Sequence, residues 1–235
     1  MMIHVVKQGD TIYSIAQRYG VSAQNLIAYN ELTDPENLVL GQTIVVLFPE
    51  IVYTIQEGDT LASIAAQFNT TVIQLLRNNR QITDTFALYP GVQLVIRYQG
   101  EKIGSMVVNG YAYPSIDRQL LRKTLPYLTY ITLFTYGITP EGELIPIDDQ
   151  EIIDIAREYG VGPLMLISSL TQEGTFSNEL AHLVLNDSTV QENLINNILE
   201  NLQAKNYFGL DVDFEFVYPD VYKRQFLLML RFLAL

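Results

Sequence analysis

Apolar positions recur at helical spacing twice in the first hundred residues. Ile12, Ile15, Ala16 and Tyr19 share one face of a 3.6-residue period, and so do Leu61, Ile64, Ala65 and Phe68. Each run follows a short apolar strand pattern and a Gly-Asp-Thr turn, Gly9-Asp10-Thr11 or Gly58-Asp59-Thr60. The glycine suits a turn, and Asp or Thr can cap the helix that follows. A second short helical stretch holds Leu26, Ile27 and Tyr29, or Ile73, Leu75 and Leu76, and ends near Asn30 or Asn79. A Gly turn then leads to a closing strand over 43–47 or 93–97. The predicted order is strand, helix, helix, strand in each copy. Gly9 meets Gly58 and Asn30 meets Asn79 at an offset of 49, while Gly41 meets Gly91 at 50.

The pattern changes after a short, polar, Gly-flanked stretch over 98–104. Strand patterns over 106–111, 130–136, 163–169 and 209–216 alternate with helical ones. Ser115 or Asp117 is placed to cap the first helix, which runs to about Leu125. Asp148 is placed to cap the second, to Tyr159, and Asp187 or Ser188 opens a long third one to about Ala204. Strands joined by helices predict an α/β segment with a parallel sheet.

The last strand carries the densest chemistry. It reads Phe208-Gly209-Leu210-Asp211-Val212-Asp213-Phe214-Glu215. Side chains alternate along a strand, so Asp211, Asp213 and Glu215 share one face. Carboxylates held this close disfavour joint ionisation, which pushes one of them towards the protonated form. A protonated carboxylic acid beside an ionised one suits glycosidic-bond cleavage. A metal-binding acidic strand or a solvated strand edge is the alternative. Tyr111, Tyr113, Phe134 and Tyr136 fall at the ends of earlier strands, where aromatic rings fit a sugar-stacking cleft. Alternation predicts Phe134 and Tyr136 on one face.

Composition narrows the classes. Of 235 residues, 49% are hydrophobic, enough for packed cores. With no cysteine, neither a disulfide framework nor a cysteine metal site is possible. A net charge of −12 argues against nucleic-acid binding and against attraction to anionic wall polymers, leaving neutral-sugar contacts for any wall binding. No secretory signal is seen at the N-terminus. No apolar run reaches the ~18 residues of a membrane span, so no membrane insertion is expected, and 226–235 read as a buried helix. No cofactor or metal site is expected, and His4 and His182 read as surface or cap residues.

The repeated grammar over 3–48 and 51–98 resembles the LysM module. The resemblance implies binding of N-acetylglucosamine in peptidoglycan or chitin. It places the surface at Gly9, Asp10, Thr11 and Ile12, and at Gly58, Asp59, Thr60 and Leu61, facing the loops 30–32 and 79–81. Helix capping is the plainer role for Asp10 and Asp59. The acidic strand resembles the Asp-Gly-x-Asp-x-Asp-x-Glu signature of glycoside hydrolase family 18, with Phe208 in place of the first Asp. That resemblance implies a (β/α)8 barrel and a retaining mechanism in which the substrate's N-acetyl carbonyl is the nucleophile. It assigns Glu215 as general acid, Asp213 as the group orienting the acetamide and Asp211 as the residue tuning Asp213. The expected fold class is two βααβ modules followed, over 104–235, by the first half of such a barrel, about four β/α units. Residues 105–235 number 131, about half of the ~250 of a full barrel, so the native protein is expected to continue. The stretch 220–235 does not resemble the family. Phe208 and Ser169-Leu170, which stand where many members carry other residues, point to a bacterial branch acting on spore or cell-wall peptidoglycan. The alternative is a carbohydrate-binding protein whose hydrolase domain is inactive or truncated.

Overall fold

The computed structural model describes residues 1–82, 88–100 and 104–214. Glu215, the end of the strand expected over 209–216, and the stretch 226–235 lie outside the described residues. The chain divides into two compact units, one ending at Met106 and the other beginning at Val107.

The first unit contains both repeats. One is built from β1 (Met2–Val5), α1 (Ile12–Tyr19), α2 (Ala23–Tyr29) and β2 (Thr43–Val46), with β1 and β2 antiparallel. The other repeats that order in β3 (Pro49–Thr54), α3 (Leu61–Gln67), α4 (Val72–Asn78) and β4 (Gln93–Tyr98). Ile12, Ile15, Ala16, Leu26, Ile44 and Val46 form the first core. Thr11 and Thr60, not the preceding aspartates, cap α1 and α3. Each threonine hydroxyl accepts the N–H three residues on, and Ser14 or Ser63 returns the bond. Gly9 and Gly58 take φ of 83° and 87°, the left-handed region that the turn before each cap requires. Asn30 joins α2 to β2: its amide donates to the carbonyls of Leu26 and Val45, and its oxygen accepts the Val45 N–H. Asn79 repeats this with Leu75 and Val95. The two modules meet where the Arg80 guanidinium donates to the Tyr29 carbonyl and to Glu31 and lies 4.9 Å from the Tyr29 ring centre. The Tyr29 ring stands edge-on to Tyr98.

The second unit runs β5 (Asn109–Ala112), α5 (Arg118–Thr124), a 3-10 turn (Leu125–Tyr127), β6 (Tyr130–Ile138), β7 (Leu144–Ile145), α6 (Gln150–Glu158), β8 (Gly162–Ser168), α7 (Asn178–Asn186), α8 (Ser188–Ala204) and β9 (Gly209–Asp213). Strands β5, β6, β8 and β9 lie side by side in chain order and all parallel, and β7 adds antiparallel to β6. Ile131, Leu133, Met165 and Ile167 pack with Leu121, Ile152, Val184 and Ile198 of the helices in one core. Asp117 and Asp187 cap α5 and α8 as the pattern suggests. The residue before α6 is Asp149 rather than Asp148, and its side chain makes no cap bond. Its carboxylate is buried and accepts from Tyr136 at 2.5 Å, from Tyr207, and from the Lys205 ammonium at 2.5 Å. Helix α7 and strand β7 go beyond the elements read from the sequence. Leu180, Ala181, Val184 and Leu185 give α7 its buried stripe, and Ser177 caps it.

Candidate functional site

The sheet of the second unit has a helix-covered face and a second face that collects the polar side chains. Registered pairing aligns Tyr111 with Thr132, Thr132 with Leu164, Leu166 with Asp211 and Ser168 with Asp213. Directly paired residues point to the same side, so Tyr111, Thr132, Ser168, Asp211 and Asp213 share this face. The Tyr111 hydroxyl donates to the Asp211 carboxylate at 3.0 Å. Tyr111 and Asp211 stand on the two outer strands of the parallel order. Three strand spacings in a flat sheet would put them about 14 Å apart. A direct bond across all four strands therefore means that the sheet curves and that this face is concave. The Asp211 carboxylate, by hydrogen bond first and then by charge, pushes the Tyr111 hydroxyl above its usual pKa, with Asp213 adding a smaller effect. Tyr111 thus stays a hydrogen-bond donor.

Around this pair the concave face is tied internally. Asn109 donates to the Thr132 hydroxyl at 2.9 Å, and Thr135 donates to the Ser168 hydroxyl at 3.0 Å. Asp213 sits at the C-terminal end of β9 beside Ser168. The next residue on the β8 side, Ser169, is fully buried, and its hydroxyl has no hydrogen-bond partner among the described residues. The close approach of the β6 and β8 ends is permitted by Gly137, where a Cβ would lie 2.4 Å from the Leu170 carbonyl oxygen. Alternation alone could not place Ser169, because it lies just past the last paired residue.

The structure brings Tyr111, Asp211 and Asp213 together; Glu215 lies outside the described residues. Tyr136 is a correction. The pairing of β6 with β8 shifts between Leu133 and Tyr136, so the two-residue alternation changes phase there. Tyr136 turns into the helix-side core at 1% exposure, with its hydroxyl bound to Asp149 and Lys205. Its ring is unavailable for stacking. Phe134 is half-buried and meets exposed Tyr113 edge-on, with centroids 5.1 Å apart. Phe208 stacks on Tyr130 and donates its N–H to the Pro163 carbonyl, at the opposite end of the strands from Asp213. The departure from the acidic signature therefore falls away from the carboxylates.

In the modules, the Gly-Asp-Thr loops are exposed at Gly9, Thr11, Gly58 and Thr60. Ile12 and Leu61 are corrections: their side chains are core, at 0% and 4% exposure, and can offer only backbone to a ligand. Asp10 accepts the Lys7 N–H at 2.8 Å, the His4 ring Nε2 at 3.0 Å and Arg18 at 3.0 Å. These bonds hold its carboxyl below the usual carboxylate range, the Lys7 N–H most and then His4, with Arg18 adding less. His4 is therefore a buried partner and not a surface residue. Tyr13 follows the first loop as an exposed ring whose hydroxyl donates to Glu36, a feature the apolar pattern hides because Tyr13 falls off the core face. Among the described residues, no group of three or more His, Asp or Glu side chains could hold a metal ion, and no helix is long and apolar enough to cross a membrane.

Residues 4–47 and 53–97 are LysM domains. Over 217 residues the chain is 36% identical to YdhD of Bacillus subtilis, a sporulation-specific glycosylase by inference, covering 92% of this chain and 50% of that protein. The crystal structure of the spore cortex-lytic enzyme SleL of Bacillus cereus superposes with a TM-score of 0.69 at 29% identity, covering 98% of this chain and 54% of that one. A class V chitinase of Pseudomonas fluorescens Pf-5 shares the fold alone, with a TM-score of 0.51 at 22% identity over 55% of this chain and 41% of that one. The chain spans about half the length of the curated relatives it matches. It is homologous to the sporulation glycosylase and to the SleL-type cortex-lytic enzymes.

Proposed function

We propose that this chain is the wall-binding and N-terminal catalytic portion of a bacterial peptidoglycan hydrolase. It cleaves β-linked N-acetylglucosamine in the spore cortex or cell wall by the substrate-assisted, retaining route. The observation that carries the reading is the Tyr111–Asp211 bond beside Asp213 on a concave strand face, on the strand that leads into Glu215. The names of the relatives, a sporulation glycosylase and a cortex-lytic enzyme, support a spore or wall setting. Residues 104–235 read as the first four β/α units of a (β/α)8 barrel, a fold in which chemistry sits at the C-terminal strand ends, where Asp213 lies.

In this reading Glu215 protonates the leaving glycosidic oxygen. The substrate's acetamide oxygen attacks the anomeric carbon, so no protein nucleophile is needed. Asp213 accepts the acetamide N–H and stabilises the oxazolinium that forms, and water then opens it with retention. Asp211 keeps negative charge beside Asp213, and Tyr111 holds Asp211 in place. The LysM loops at Gly9–Thr11 and Gly58–Thr60 hold the polymer and raise the local concentration of bonds to be cut. Peptidoglycan is favoured over chitin by the relatives' names, although the two share N-acetylglucosamine.

The test is muropeptide release from spore-cortex and vegetative sacculi, read by mass spectrometry, for the chain and for Glu215→Gln. Loss of general acid catalysis lowers rates by ~10²–10⁴-fold, so the variant should yield almost no new N-acetylglucosamine reducing ends while binding sacculi as before. Equal release by both proteins overturns the assignment of Glu215. Binding without release by the unsubstituted chain favours the second reading, a carbohydrate-binding protein with an inactive hydrolase segment.

A further inference from the structure

We propose that the crevice between the two LysM modules is a separate binding site for an N-acetylated glycan, distinct from the Gly-Asp-Thr loops. The proposal rests on reading the modules as glycan binders. The crevice has a volume of about 800 Å³, within the ~300–1,000 Å³ range of small-ligand clefts. One wall is the α1–α2 turn and the start of α2, with Ser22, Gln24 and Asn25. The other is Val52 on β3 with Val92 and Gln93 at the start of β4. Of the residues expected at the loop sites, Gln81 alone lines it.

Its chemistry is unusual for this molecule. The chain carries 26 acidic and 14 basic residues, yet among the described residues no Asp, Glu, Lys or Arg lines the crevice. Gln24, Asn25, Gln81 and Gln93 supply four amide side chains instead. An amide donates and accepts at once, which matches the N–H and carbonyl of an acetamido group and the hydroxyls of a sugar ring. The valines suit the acetyl methyl and the C–H face of the ring. Amides and valines at the described positions also let a neutral sugar meet them without desolvating an ion. A cavity of only about 10 Å³, edged by Tyr29 and Tyr98, adjoins the crevice at Val21, Ser22, Asn25 and Pro49. The contact of Arg80 with Tyr29 and Glu31 fixes the spacing of the walls. Because each module supplies one wall, neither module alone can form the site.

The experiment uses the full chain and a hexamer of N-acetylglucosamine carrying a photoreactive diazirine. Label is expected on residues 20–25 and 91–95 as well as on the loops. Gln24→Ala/Gln93→Ala, two exposed positions, should weaken hexamer binding at least several-fold in calorimetry while the melting profile is unchanged. Label confined to 9–12, 58–61 and the facing loops, with the double variant binding like the unsubstituted chain, overturns the crevice site and leaves the modules as glycan binders. No label and no binding anywhere overturns both.

Discussion

The two LysM modules use one turn with two different clamps. In the first, Asp10 accepts from the Lys7 N–H, from His4 and from Arg18. In the second, Asp59 accepts from the Gln56 N–H at 2.7 Å and from the Tyr53 hydroxyl at 2.8 Å. His4 and Tyr53 are equivalent at the repeat offset, as are Tyr19 and Phe68, and both ring pairs meet edge-on, at 5.6 Å and 5.3 Å. The aspartate's bond to its own turn is thus constant, and the ring that reaches it can be a basic imidazole or a neutral phenol. The shared Asp is first a turn-tying residue, while capping falls to Thr11 and Thr60. The loops differ in aromatic content as well: exposed Tyr13 has Ala62 as its counterpart, which predicts unequal contributions to the proposed glycan binding.

The largest effects should fall on what the modules share. Asn79→Ala strands the Val95 N–H and the carbonyls of Leu75 and Val95 in a fully buried site. At ~1–3 kcal/mol for each buried group left without a partner, about 3 kcal/mol of module stability should be lost. Asn30→Ala, at a half-buried site, should cost about 2 kcal/mol. Native-state hydrogen exchange, resolved by module, measures both; equal protection before and after either change would break the parallel. Thr11→Ala and Thr60→Ala should each cost about 1 kcal/mol by removing a cap, and unequal costs would show that the turns differ more than their geometry does. Tyr53→Phe removes a single hydroxyl bond to Asp59 and should cost about 0.5–1.5 kcal/mol in the second module only.

The finest distinction lies in acid. The folded-state pKa of Asp10 is depressed, so its contribution is present above the unfolded value, near ~3.9, and is lost as pH falls through the folded value. Acid titration of amide protection should show the first module weakening in that window. Asp10→Asn should flatten its acid slope and leave that of the second module unchanged. An unaltered slope in the variant would mean that His4 and Arg18 hold nothing that depends on the Asp10 charge.

Much of the module fold was legible because local signals agree with the tertiary answer. Gly before Asp-Thr, a helical apolar period and a closing strand all specify the same βααβ order, and the repeat states it twice. The parallel α/β segment was legible for a similar reason: β6 and β8 are largely apolar runs, β9 alternates, and Asp117 and Asp187 announce their helices. Helix α7 was hidden by its place between a loop and the longer helix α8. In the candidate site, the carboxylates of β9 were readable from alternation, and Tyr111 was readable as an aromatic at a strand end. Its bond to Asp211, a hundred residues on, was not, since it depends on the curvature of the whole sheet.

The sequence by itself determined the repeat, the βααβ order of each module, the strand–helix alternation that follows, and the shared face of Asp211 and Asp213. Periodicity and capping act over a few residues, and the chain spells them out directly. Only the tertiary structure decided that Asp149 is a buried partner of Tyr136, Lys205 and Tyr207, that Tyr136 faces the helices because β6 shifts register, and that Gln24 and Asn25 of one module face Gln81 and Gln93 of the other across a crevice. Those outcomes depend on where distant segments meet and on which buried polar groups must then find one another, and no local pattern carries that information.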